Sequence, residues 1–158
     1  MTEEYTMNGK ITDSFGRWIS ILYRYTNIYM EKQFKEYGLG AGQVKLLHLI
    51  YAHRGITQVE MTHILSLDKG TVTRSIKKLE RTGYIRRQRL KSDNRVYRLV
   101  VTDKGLKIKD YIDKTFKGWT VILSNGFNGR EKEEALNYLR RMARNAQGYL
   151  GEEITTGH

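Results

Sequence analysis

The chain has 158 residues and a formal net charge of +11; its 39% hydrophobic content supports one ordinary domain, and its 11% aromatics exclude a disordered basic tail. Without cysteine it has no disulfide scaffold, thiolate zinc site, cysteine nucleophile or thiol switch, and without proline its breaks must come from glycines and polar caps. The longest apolar run, around Leu46 to Ala52, is too short to span a bilayer, and Met1-Thr2-Glu3-Glu4 carries acid where a signal peptide needs base, so a cytoplasmic protein without membrane contact is expected.

The first element is a helix over about 13–37, with Phe15, Ile19, Leu22, Tyr29, Met30 and Phe34 at helical spacing, Asp13 as N-cap and Gly38 as C-cap. Its length suits a helix that reaches beyond its own domain. Gly38-Leu39-Gly40-Ala41-Gly42 is a break, after which a second helix runs over 43–52 with Val44, Leu47 and Ile50 apolar. Thr57-Gln58-Val59-Glu60 is a capping box with Ile56 and Met61 at staple spacing, and predicts a short helix to residue 65. The same grammar then repeats. Asp68 is an N-cap flanked by Leu67 and Val72, opening a helix to residue 81 that Gly83 stops, with Val72, Ile76 and Leu79 as its buried stripe. Two short helices joined by a three-residue turn form a helix-turn-helix.

After Gly83 the period changes to two. Residues 85–90 and 96–101 predict two strands, with Tyr97, Leu99 and Val101 on one face, joined by the polar turn Lys91-Ser92-Asp93-Asn94. Such a hairpin directly after a helix-turn-helix is a wing. A helix from residue 102 or 103 to about 124 follows, apolar at Leu106, Ile112, Phe116, Trp119 and Leu123. The last helix opens on the box Asn128-Gly129-Arg130-Glu131 and runs to about 150 with Leu136, Leu139, Ala143, Ala146 and Leu150 apolar. Residues 151–158 are expected to form a flexible tail. The fold class is mainly α with a small β-wing (α+β).

The charge is concentrated. Between Asp68 and Arg98 stand eleven Lys and Arg against three Asp and Glu, a net of +8, and the other 127 residues carry only +3. A local field of one sign attracts a polyanion. With Val72, Ile76 and Leu79 buried, the second helix of the motif offers Lys69, Gly70, Thr71, Thr73 and Arg74 in its first two turns. In a docked helix-turn-helix that half enters the major groove. There Thr71 and Thr73 suit base edges or a thymine methyl, and Arg74 suits the guanine edge. Gly70 lowers helix propensity, a cost offset where the backbone approaches a phosphate. Lys77, Lys78 and Arg81 serve positioning, and Arg89 adds to the basic hairpin. Double-stranded DNA is the expected partner.

The run from Asp68 to Glu80 followed by Gly83-Tyr84-Ile85, together with Asp93-Asn94-Arg95 and Leu99-Val100-Val101-Thr102-Asp103-Lys104-Gly105, resembles the MarR (multiple antibiotic resistance regulator) family over residues 13 to 150. The resemblance implies a winged helix-turn-helix domain with a DNA-binding core of about 43–102. It is flanked by dimerisation helices of about 13–37 and 103–150 that interlock a homodimer. It implies repression through a palindromic operator, an Asp93–Arg95 pair that holds the wing, and a wing-tip group in the minor groove. Asn94 stands where members often carry a basic residue, so Lys91, Arg95 and Asn94 all remain candidates for that group. Gly40-Ala41-Gly42 replaces a common Thr-Pro, a change at a helix cap. Many members release DNA on binding small aromatic or anionic ligands, for which Arg17, Trp18, Arg24, Tyr25 and Tyr29 of the first helix are candidates alongside Tyr23. The alternative for these side chains is a dimer interface with solvated arginines.

Other functions find little purchase. His48 and His53 are five residues apart across a helix end, Glu60 and His63 only three, so no metal site or other cofactor is expected. No P-loop, dinucleotide fingerprint or nucleophile elbow occurs, and enzyme activity is not expected. The rival readings are a nucleoid-type or RNA-binding winged helix that uses the charge without sequence choice, and a winged helix used for protein contact.

Overall fold

A computed structural model describes residues 14–65, 67–90 and 95–151. Among the described residues seven α-helices and one hairpin follow in chain order: α1 (Phe15–Phe34), a 3-10 turn (Lys35–Tyr37), α2 (Ala41–Ala52), α3 (Gln58–Leu65), α4 (Lys69–Arg81), β1 (Ile85–Arg89), β2 (Tyr97–Val101), α5 (Asp103–Lys107), α6 (Lys109–Leu123) and α7 (Gly129–Leu150). The architecture is the expected winged helix with long terminal helices. Among the described residues no helix is long and apolar enough to cross a membrane.

The core sits where α1, α2, α3, α4 and the hairpin converge. Met30 and Phe34 of α1 are buried with Val44, Leu46, Leu47 and Ile50 of α2, Met61 of α3, Val72, Ile76 and Leu79 of α4, and Leu99 of β2. Each such side chain contributes about 1.5–3 kcal/mol relative to exposure. The second half of α1 is further tied to the body by polar contacts. Lys45 Nζ donates to Asn27 Oδ1 (2.9 Å), Trp119 Nε1 donates to Thr26 Oγ1 (3.0 Å), and Tyr29 stacks on Trp119 at 4.6 Å.

Several boundaries differ from expectation for local reasons. Ser14, not Asp13, caps α1, its hydroxyl accepting from the Arg17 amide at 3.2 Å; Asp13 lies outside the described residues. Helix α2 begins at Ala41 rather than Gln43, because Gln43 reaches back and accepts the Gly40 amide at 2.9 Å. The helix expected over 102–124 is two helices broken at Ile108. In a continuous helix the Gly105 carbonyl would accept from residue 109. Here it accepts the Tyr51 hydroxyl at 2.6 Å and the Ile108 amide at 3.3 Å instead. Leu106 and Leu123, expected on the buried stripe, are about half exposed, as is Leu67 beside the Asp68 cap to a lesser degree.

The two capping boxes form. Thr57 and Glu60 exchange bonds of 2.7 and 3.2 Å, Asn128 and Glu131 bonds of 2.7 and 3.0 Å. The bonds from Thr57 hold the Glu60 carboxyl below its usual range. Gly83, at φ +77°, ends α4 in a Schellman motif in which the Gly83 amide bonds Glu80 O and the Tyr84 amide bonds Leu79 O, both at 2.9 Å. The strands pair antiparallel from Ile85↔Val101 to Arg89↔Tyr97, and the loop before α3 adds a bridge, with the Leu99 amide donating to Ile56 O at 2.9 Å.

One polar cluster joins α2 to α6. His48 stacks on Phe116 at 4.3 Å and lies 3.5 Å from Asp113 Oδ1, whose other oxygen accepts Lys109 Nζ at 2.7 Å. Burial outweighs the attraction of Asp113 and pushes the His48 imidazole below its ordinary value. The fold therefore favours neutral His48. Its contribution is complete above about pH 6.5, the unfolded value, and is lost as pH falls through the lower folded value. Between pH 7.5 and 5.5 the wild type should lose more thermal stability than His48→Gln; parallel melting curves for the two would contradict this.

Candidate nucleic-acid interface

Helix α4 is built as the expected second helix of the motif. Its N-cap Asp68 accepts the Thr71 amide at 2.8 Å, and Val72, Ser75, Ile76 and Leu79 are buried. At 100° per residue this stripe sends Gly70, Arg74, Lys77 and Arg81 along one outward ridge. Lys69, Arg74 and Lys77 are exposed, while Thr71, Thr73 and Lys78 flank the ridge at intermediate exposure.

The first turn is preorganised. Arg74 Nη2 donates to Thr71 Oγ1 at 3.0 Å, so the guanidinium lies across the turn. A Cβ on Gly70 would stand 3.1 Å from Asp68 Oδ1 and 3.5 Å from Arg74 Nη1. The bare glycine thus leaves room for cap and guanidinium together, a reason that does not need a phosphate. Hydrogen bonds from Thr71, with a smaller contribution from the Arg74 charge, hold the Asp68 carboxyl below its usual range. The carboxylate already occupies part of the positive helix end.

Thr73 differs from expectation in its chemistry. Its hydroxyl donates to Lys69 O at 2.6 Å and accepts Gln58 Nε2 at 2.6 Å. A hydroxyl has one proton, and the Lys69 carbonyl takes it. Thr73 therefore offers its methyl but no spare proton, while Gln58, which the sequence reading did not single out, joins α3 to α4.

In the hairpin, Arg89 donates from Nε to Tyr97 Oη at 3.2 Å and lies along the strand surface. Arg87 pairs with Glu80 at 3.1 Å, which spends its charge on fixing the wing to α4. Arg86 and Arg98 are exposed on the other face of the hairpin and were not singled out in the sequence. Arg95 is exposed. Lys91, Asp93 and Asn94 lie outside the described residues, and with them the Asp93–Arg95 pair.

The residues expected to bind a small ligand are strung along α1. Arg17 lies over the Trp18 ring at 5.0 Å and Arg24 over Tyr25 at 6.0 Å, whereas Tyr29 is engaged with Trp119. From residue 17 to 29 the helix rises about 18 Å, so one chain does not gather all five around one small molecule. Among the described residues no group of three or more His, Asp and Glu is placed to hold a metal ion.

A sequence model of the MarR family matches residues 39–97. The chain is 30% identical over 127 residues to the HTH-type transcriptional regulator BilQ of Clostridioides difficile, spanning 80% of this chain and 86% of the relative. Among solved structures, a MarR transcriptional regulator from Methanosarcina mazei Go1 is 40% identical with a TM-score of 0.78, covering 85% of this chain and 96% of that one. A MarR family regulator from Listeria monocytogenes, complexed with a 26mer DNA, is 25% identical with a TM-score of 0.81 and covers 91% and 99%.

Proposed function

The chain belongs to the MarR family of transcriptional regulators, and on that premise we propose that it is a homodimeric repressor. In this reading each subunit sets α4 in the major groove of a palindromic operator, and a small aromatic or anionic ligand releases the DNA. The observation that carries the reading is the basic ridge of Arg74, Lys77 and Arg81 opposite a stripe whose Val72, Ile76 and Leu79 are 0% exposed, next to a hairpin with exposed Arg86, Arg89 and Arg98. Such a surface favours a polyanion, and the capped helix supplies a rigid element to read one.

Residues of about 43–102 form the DNA-binding core in this proposal, and helices of about 13–37 and 103–150 the dimer. Exposed Phe15, Trp18, Ile19 and Leu22 on α1 and Leu136 and Leu139 on α7 support the dimer, since a lone subunit would leave these stripes in water. Lys69, Gly70, Thr71, Thr73, Arg74, Lys77 and Lys78 face the groove and its phosphates, Arg89 tracks the backbone, and Lys91, Asn94 or Arg95 serves the minor groove. Asp93 pairs Arg95. For the ligand, the rings of Trp18, Tyr25 and Tyr29 supply aromatic walls and Arg17 and Arg24 the guanidinium, with the second subunit completing the enclosure.

Selection of bound sequences from a random duplex pool tests the function directly: a palindrome with half-sites about 34 Å apart is expected. On that site Arg74→Ala should cost about 1–3 kcal/mol, whereas Lys78→Ala should weaken all sequences alike and flatten the salt dependence. Equal losses on selected and random duplex for Arg74→Ala would remove it from base reading.

A further inference from the structure

Gln58 opens α3, outside the helix expected to read DNA, yet its side chain is bonded to the middle of that helix. The bonds around it fix its chemistry. The Thr73 hydroxyl lies 2.6 Å from the Lys69 carbonyl, which only accepts, so its single proton is spent there. Gln58 must therefore donate to Thr73 Oγ1, and this sets which end of the amide is nitrogen. What is left on Gln58 is one N–H and the carbonyl Oε1, and among the described residues none bonds either. The side chain is also half-buried, held at its root by the Thr57–Glu60 box that starts the helix.

One N–H and one C=O, coplanar and on a fixed amide, is the pattern that matches N7 and N6 of adenine in the major groove. A glutamine in solution spends rotamer entropy to reach that pose; here Thr73 has already removed part of it. Thr73 sits at the fifth position of α4, within the half that a docked helix-turn-helix presents to the bases.

We propose that Gln58 is a specificity-determining residue of the DNA interface, reading an adenine in each half-site, and that Thr73 is a positioning residue acting through it. This rests on the reading of α4 as the groove-facing helix. Thr73 then contributes to specificity by its hydroxyl from behind, not by bonding a base.

The experiment is selection from a random duplex pool with wild type, Gln58→Ala, Thr73→Val and the double variant, with melting temperature and random-duplex affinity measured alongside. Wild type should return a palindrome. Gln58→Ala should return the same palindrome with one A·T position per half-site degenerate, and lose about 10- to 100-fold on the wild-type site with random-duplex affinity unchanged. Thr73→Val keeps the side-chain shape and removes the anchor, so it should relax that same position. The double variant should lose no more than Gln58→Ala alone, since both act through one contact. Loss by Gln58→Ala on all sequences alike would make Gln58 a phosphate contact, and an unchanged palindrome and affinity would make it a packing residue; either overturns the proposal. Relaxation of two different positions by the single variants, with additive losses, would return Thr73 to direct reading and also overturn it. If wild type itself returns no consensus, the DNA-regulator reading fails first, a result distinct from any of these.

Discussion

Leu136→Glu combined with Leu139→Glu is expected to leave the protein as a monomer and to lower operator affinity by more than about 100-fold. Helix α7 runs for 22 residues without a single buried side chain. Leu136, Leu139, Ala143, Ala146 and Leu150 recur at helical spacing along one face, with Leu136 46%, Leu139 48% and Leu150 70% exposed. The first half of α1, the end of α6 and the turn that follows it repeat the pattern, with Phe15, Trp18, Val121, Ile122 and Phe127 exposed. An apolar surface of this extent is normally covered, and a second copy of the chain provides matching stripes on matching helices. Two carboxylates per subunit on that face would be buried unpaired in the proposed dimer, at several kcal/mol each. In the monomer they meet only water, so the winged-helix core should keep its fold. Sedimentation checks the mass against the 18.5 kDa chain, and circular dichroism checks the core. A variant that still sediments at twice that mass would place the dimer contact elsewhere.

Gly105→Ala should destabilise the fold by about 3 kcal/mol and lower Tm by roughly 10 °C. The residue is buried where α5 turns off the wing. An added Cβ would overlap the Tyr84 carbonyl oxygen and stand 2.6 Å from Val101 Cγ1. Neither neighbour is the loose end of a flexible side chain. The Tyr84 carbonyl accepts the amide of Thr102, the residue that caps α5, whose hydroxyl donates to Gly83 O at 2.6 Å, and the Gly105 carbonyl accepts Tyr51 from α2. A shift at this point disturbs the cap, the end of β2 and the helix break at Ile108 together. Gly118→Ala on α6 is the control, because its Cβ would meet Tyr29 Oη at an ordinary 3.5 Å. It should leave Tm unchanged or raise it slightly through helix propensity. Similar melting of the two variants would show that the junction relaxes without cost.

Much of the fold is legible in the sequence because its signals are local. The Thr57–Glu60 and Asn128–Glu131 boxes, the Asp68 cap and the Gly83 stop each lie within a few residues of the turn they control, and each forms. Hydrophobic period separates the helices from the hairpin for the same reason. Errors begin where a distant group competes for a backbone position. Nothing near Ile108 announces a break, since the hydroxyl that accounts for it belongs to Tyr51, 54 residues away from the Gly105 it bonds. The reach of Gln43 back to Gly40 is local, but an amide competing for a glycine N–H is a weaker signal than a hydroxyl cap.

The candidate interface divides along the same line. Sequence alone determines that +8 of the +11 charge falls between Asp68 and Arg98, and that Arg74 and Lys77 face away from Val72, Ile76 and Leu79, because charge count and helical period need no partner. Which of those groups keep their chemistry available is decided only by the tertiary structure. Arg87 is spent on Glu80, and the Thr73 hydroxyl on Lys69 and Gln58. The Gln58–Thr73 bond crosses from one helix to another, and its existence depends on how α3 packs on α4. A hydrogen bond of 2.6 Å is lost within an ångström of displacement, so residue type and spacing cannot specify it, whereas a buried stripe tolerates such a shift.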